Sequence, residues 1–172
     1  MIEKNNEQKV LEYFFDNPTT KTHLRQLSRE TKLTMPTIVE KTKKLEKKGL
    51  LIIKKSIALT IVEANTENPA FTRLKRINNI SKIYETGLVD YINEKTSNAQ
   101  AIICFGSYSR GEDIETSDVD IAVITPKKTE ISLEKFEKSL KRKISLHQVN
   151  PERISKGFKS SLCNGMTLEG AI

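Results

Sequence analysis

Apolar residues recur along the chain with a spacing that changes several times, and each change marks a new element. Val10, Leu11, Phe14 and Phe15 stand at i, i+1, i+4 and i+5, which puts them on one face of a helix over residues 6 to 16, ended by Asn17 and Pro18. A second short helix fits Thr22 to Thr31, with Leu24 and Leu27 inward and Thr22 as its N-cap. A third runs from Met35 to Lys48, capped by Thr34, tolerant of Pro36 in its first turn and closed by Gly49. Its inward positions are Met35, Ile38, Val39, Thr42 and Leu45, and Lys41, Lys44 and Lys48 form an outer stripe. Beyond Gly49 the period shortens in LLIIKKSIALTIVE, two apolar runs around Lys54, Lys55 and Ser56 that predict a hairpin with a basic tip.

From residue 64 to 97 the helical period returns. Asn68 and Pro69 open a helix with Phe71, Leu74, Ile77 and Ile80 on one face, and a further helix fits Ser81 to Lys95 with Ile83, Leu88 and Ile92 inward. Such a stripe packs either against a second copy of the chain or between its own domains. AIICF, residues 101 to 105, is too short for a core helix and rich in isoleucine, so it is a predicted strand. Ser117 to Thr125 is a second strand with both faces largely apolar, followed by a helix near Ser132 to Leu140 and a strand over Lys143 to Val149. Asn150 and Pro151 can open another helix, and NGMTLEG reads as a turn into a final strand.

Composition narrows the class. The 172 residues suit one large or two small domains. No stretch approaches the roughly 18 apolar residues of a membrane span, and MIEKNNEQK lacks the apolar core of a signal peptide, so a cytoplasmic protein with no membrane partner is expected. Cys104 and Cys163 lack metal-ligand spacing, and Cys104 reads as a small buried hydrophobe. The net charge of +7 is concentrated: residues 21 to 55 hold eleven Lys and Arg against Glu30, Glu40 and Glu46, a local excess of +8. A localised positive surface suits a polyanion.

Three helices and a basic hairpin, carried by THLRQLSRETKLTMPTIVEKTKKLEKKGLL and the runs behind it, resemble a winged helix-turn-helix domain. The resemblance implies that the helix over 35 to 48 enters the major groove of duplex DNA while the hairpin touches phosphates or the minor groove. Thr34, Thr37, Lys41 and Lys44, with Lys54 and Lys55 on the hairpin, would then lie nearest to DNA.

The candidate chemistry lies in AIICFGSYSRGEDIETSDVDIAV. Gly106 permits close backbone approach, the helix start behind it offers free N-H groups, Ser107 adds a hydroxyl and Arg110 a fixed charge, all suited to phosphate. Ten residues after Ser107, Asp118 and Asp120 share one strand face with Ala122 and Ile124. Two carboxylates so close repel each other and lose hydration, which a divalent cation relieves; Mg²⁺ or Mn²⁺ suits all-oxygen ligands.

Strand, Gly-Ser, ten residues, Asp-x-Asp and strand together resemble the signature of the DNA polymerase beta superfamily, in particular its minimal nucleotidyltransferases. The resemblance covers residues 98 to 172, and the tail is similar to archaeal-type proteins in which a winged helix precedes such a domain. It implies an α+β chain: a winged helix over 1 to 64, a helical connector over 65 to 97 and a mixed α/β nucleotidyltransferase domain over 98 to 172. It further implies phosphate contacts at Gly106, Ser107 and Arg110, two metal ions bound by the catalytic Asp118 and Asp120, one to activate a hydroxyl acceptor and one to steady the triphosphate, and an NTP substrate with ATP first in line. The family usually takes a third carboxylate from the next strand. Here that position falls on Ser145, with His147 on the same face. Two functions follow, a metal-dependent nucleotidyltransferase or a DNA-binding regulator, antitoxin-like, that holds nucleotide or a protein partner with little turnover. A homodimer is compatible with both.

Overall fold

A computed structural model describes residues 5–56, 59–97, 99–150 and 156–171. It divides into two compact units, Met1–Lys75 and Arg76–Ile172.

The first unit begins with α1 (Asn6–Asp16), whose N-cap Asn5 and Gln8 form a reciprocal capping box. Val10, Leu11, Phe14 and Phe15 are its buried face, as their spacing predicts. Next come β1 (Lys21–His23), α2 (Leu24–Thr31), α3 (Met35–Lys47), β2 (Leu51–Lys55) and β3 (Thr60–Ala64). The three strands form an antiparallel sheet in the order β1-β3-β2. Thr22 is therefore not a helix cap: it sits in β1 opposite Val62, 1% exposed, and His23 takes the cap position of α2. Ile38, Thr42 and Leu45 of α3 are buried with Leu27, Leu51, Val62 and Phe71, but Met35 is exposed and Val39 only half-buried. Gly49 closes the helix in the left-handed region, at φ +70°.

The connector departs from the predicted break. A single helix, α4 (Pro69–Glu85), runs through residue 81 and stops before Gly87, whose φ of +72° turns the chain into α5 (Leu88–Lys95). Its buried face is Phe71, Lys75, Asn79, Ile80 and Ile83, whereas Leu74 and Ile77 point outward at 39% and 66% exposure. Spacing alone allows both stripes, because a long helix offers several i, i+3 and i+4 series.

The second unit contains β4 (Ala101–Phe105), α6 (Gly106–Arg110), β5 (Val119–Ile124), α7 (Glu134–Leu140), β6 (Ile144–Val149), α8 (Lys156–Cys163) and β7 (Met166–Gly170). The sheet order is β6-β5-β4-β7, with β5 parallel to β6 and both other pairings antiparallel. One face places Ile102, Cys104, Val119, Ile121 and Val123 against apolar residues of α4, α5 and α7. The other places Ala101, Ile103, Ala122 and Ile124 against Leu162 and Phe158 of α8. β5 is thus an inner strand covered on both sides, which explains its nearly unbroken apolar run. The helix predicted to open at Asn150 and Pro151 begins, among the described residues, at Lys156, and residues 151–155 lie outside them.

Candidate active site

The turn between β4 and α6 and the start of β5 meet at one end of this sheet. Phe105 pairs with Asp120 across the β4-β5 ladder. Gly106 follows at φ +72°, and a Cβ built on it would collide with Asp120 Oδ2. The glycine is therefore required for two reasons, its left-handed backbone and the carboxylate lying on it. The expected close approach to Gly106 is thus already made by a side chain of the same fold. Ser107 is half-buried in the single helical turn, which Ser109 Oγ closes by donating to the Gly106 carbonyl at 2.9 Å.

The two aspartates differ in setting. Asp118 is exposed and precedes β5 by one residue, while Asp120 is half-buried inside the strand. Burial pushes the Asp120 carboxyl above its ordinary range; His147 opposes that shift and Asp118 reinforces it. Asp118 also lines a cleft of about 560 Å³ with Glu115, Ser117, Lys138 and Lys143. Arg110 is exposed, and its Nε donates to Glu112 Oε2 at 2.7 Å, so the guanidinium expected at the phosphates holds a neighbouring carboxylate here.

The β5-β6 register places Ser145 beside Asp120 and His147 beside Ala122, all on the same sheet face. Ser145 Oγ lies 3.0 Å from His147 Nε2. The imidazole stands 5.4 Å from the ring of Phe105 and 5.8 Å from that of Phe158, and these two rings are 5.5 Å apart. Spacing does not reveal Phe158, which reaches the site from α8, nor does it single out Phe105, the last residue of β4.

A second polar group was also missed. Asp113, 2% exposed, accepts from Asn79 Nδ2 at 2.7 Å and lies 3.8 Å from Arg142 Nη2; Asn79 Nδ2 also donates to the Tyr108 carbonyl at 2.9 Å. These residues tie α4 and the turn before β6 to the segment that ends in Asp118. In sequence Asp113 is one acidic residue among several in the spacer, and nothing there singles it out.

The donor set suits a hard divalent cation only in part. Asp118 and Asp120 supply two carboxylates, the number by which Mg²⁺ is commonly held alongside substrate phosphates. Among the described residues, however, no three His, Cys, Asp or Glu side chains group around a common point.

Three of the four lysines expected at DNA, Lys41, Lys44 and Lys54, are paired with glutamates, as is Lys48. Lys44 Nζ lies 2.7 Å from Glu7 Oε2, and Lys48 pairs with the same carboxylate. Lys41 pairs with Glu40 at 2.7 Å, and Lys54 with Glu63. Lys55 is exposed at the end of β2. Thr34 and Thr37 are bound to each other, Oγ1 to Oγ1, at 2.9 Å, and Thr34 makes no capping bond to α3. The outer stripe of Lys41, Lys44 and Lys48 is thus partly a seam between α1 and α3.

Residues 86–166 match the family model described as "Nucleotidyltransferase domain". That span runs from the turn before α5 to the start of β7 and includes every candidate phosphate and metal residue. Among curated proteins and among solved structures, nothing matches the chain. Among the described residues no helix is long and apolar enough to cross a membrane.

Proposed function

We propose that this chain is a metal-dependent nucleotidyltransferase that moves a nucleotidyl group from an NTP, with ATP first in line, to a hydroxyl acceptor, and that its N-terminal unit is a winged helix that docks on duplex DNA. The observation that carries the catalytic half is the seating of Asp120 on Gly106, which makes the phosphate turn and the acidic strand one geometric unit. In this reading Asp118 and Asp120 hold Mg²⁺ or Mn²⁺, which when bound polarises the phosphoryl oxygens and lowers the pKa of an acceptor hydroxyl. The N-H groups and hydroxyl of the Gly106-Ser107 turn orient the triphosphate, and Arg110 exchanges Glu112 for a phosphate oxygen. The acceptor hydroxyl gives up its proton to solvent, and its oxygen bonds to the α-phosphorus as the bond to pyrophosphate breaks in line with it.

The DNA half is supported by the element order α1-β1-α2-α3-β2-β3 with sheet order β1-β3-β2, and by the excess of basic residues. The outward face of α3 carries Met35, Val39, Lys43 and Lys47. Lys43 and Lys47 therefore join Thr34, Thr37, Lys41, Lys44, Lys54 and Lys55 as groups that would meet a duplex.

A second reading has its own support: Ser145 beside Asp120 favours a regulator that holds nucleotide with little turnover. Incubation with α-labelled NTPs, Mg²⁺ or Mn²⁺ and candidate acceptors, comparing wild type with the Asp118→Asn, Asp120→Asn double variant, separates the two. Transfer that disappears in the double variant supports the enzyme, and binding without transfer supports the regulator. Label that persists in the double variant defeats the site assignment. For the N-terminal unit, duplex affinity measured across salt concentrations should fall steeply as salt rises; a flat response is incompatible with phosphate contacts.

A further inference from the structure

We infer that the Asp118-Asp120 site takes one divalent cation per nucleotide and has no place for the second cation of a two-metal centre. The inference rests on the nucleotide-binding reading above and deepens it. Two cations about 3.5–4 Å apart need carboxylates shared between them and at least one further anionic ligand to offset their mutual repulsion. Of the two strands beside β5, β4 places Phe105 opposite Asp120, which leaves β6 to supply that ligand on the same face. Its register puts Ser145 directly beside Asp120, and β6 (ISLHQV) contains no carboxylate.

The acidic residues of the loop before β5, Glu115 on the Asp118 cleft among them, lie outside the paired strands β5 and β6. Asp113 is buried with Asn79 and Arg142, and Glu112, which Arg110 holds until it exchanges it for a phosphate oxygen, lies in the loop before β5. The remaining polar groups described on this face of β6, Ser145 and His147, carry no carboxylate. Ser145 Oγ is engaged with His147 Nε2 at 3.0 Å, and the imidazole is flanked by Phe105 and Phe158. A neutral hydroxyl and a ring held among aromatics supply no negative charge, so a second ion beside the first would lack compensation. One cation needs less: two carboxylates and the triphosphate oxygens, with waters filling the octahedron. The site is therefore built around one cation held together with the nucleotide, with no separate metal for the acceptor.

The test counts metal and does not depend on turnover. The full chain is equilibrated with Mn²⁺ and a non-hydrolysable α,β-methylene ATP, and electron paramagnetic resonance reads whether bound Mn²⁺ is isolated or exchange-coupled to a close neighbour. Wild type is expected to bind one isolated Mn²⁺ per bound nucleotide, and Ser145→Asp to bind a coupled pair. Ser145→Ala, which removes only the hydroxyl, should remain at one and guards against failure of the aspartate variant to fold. A coupled pair in wild type overturns the one-cation inference while leaving nucleotide binding intact. Absence of both nucleotide and nucleotide-dependent Mn²⁺ binding overturns the underlying reading, and this inference with it.

Discussion

Replacing Gly106 with alanine isolates the contact on which the site is built, because the protein contains a matched control. Gly106 and Gly87 both lie at φ +72°, but a Cβ on Gly87 meets nothing within 4 Å whereas one on Gly106 strikes the Asp120 carboxylate. Gly87→Ala should therefore show the backbone cost alone, about 1 kcal/mol for an alanine in the left-handed region. Gly106→Ala bears the same cost and must also displace Asp120. The struck atom is the end of a short side chain, so the relief is a rotation away from the preferred rotamer, costing a further ~0.5–1.5 kcal/mol.

With a urea dependence of about 1.5 kcal/mol per molar for the unit that contains both glycines, this excess moves the unfolding midpoint by roughly 0.3–1 M below that of Gly87→Ala. Nucleotide-dependent Mn²⁺ binding should be lost in Gly106→Ala and kept in Gly87→Ala. In an Asp120→Ala background the collision is gone, since the nearest remaining atom of that side chain is Cβ at 3.5 Å. The two glycine substitutions should then cost the same. Equal midpoints for both variants in the wild-type background, or an excess that survives Asp120→Ala, would refute the steric coupling.

Other consequences can be checked with simpler assays. Burial pushes the Cys104 thiol up to about 12, with Asp120 and Asp113 adding to the shift, while Cys163 is exposed; a disulfide reagent at pH 8 should titrate one thiol in the native protein and both in denaturant. Glu7 is held below its ordinary range by hydrogen bonds from Lys44 and then Lys48. A depressed folded-state pKa contributes stability above the unfolded value and loses it as pH falls, so Glu7→Gln should cost up to about 1 kcal/mol at pH 7, discounted for the exposed lysines. The difference from wild type should shrink as pH falls past the unfolded carboxylate value of about 4.3 and vanish only below the depressed folded-state value, read by pH-dependent denaturation. The same variant releases two lysines and should tighten duplex binding at low salt; unchanged or weaker binding would count against a DNA role for Lys44. Asp113→Ala leaves Arg142 buried without its carboxylate and should destabilise the second unit by about 3 kcal/mol, read from its thermal midpoint, whereas an effect near zero would mean that the network contributes little to the fold.

Much of the local structure was legible because it depends on neighbours in sequence. The four apolar residues of α1, the strand AIICF, the glycine after it and the alternation that puts Asp120 with Ala122 all follow from helix or strand periods. Where several periods coexist, the sequence was ambiguous. In α4 the series Phe71, Leu74, Ile77 is as regular as Phe71, Lys75, Asn79, Ile83, and packing chose the second because Asn79 has a buried partner in Asp113. Thr22 shows a related limit, since a threonine before an apolar run caps a helix or enters a strand depending on whether Val62 is beside it.

The sequence by itself determined which chemical groups are present: a Gly-Ser turn, a pair of aspartates ten residues on, and a serine where a third carboxylate is expected. Only the tertiary structure decided which of them meet. The β4-β5 register sets Asp120 on Gly106, the parallel β5-β6 register sets Ser145 beside Asp120, and α8 brings Phe158 to His147. It also decided which charges are taken, pairing Glu7 with Lys44 and Lys48 and Glu112 with Arg110. Strand pairing joins residues far apart in sequence, and local periodicity carries no record of that pairing.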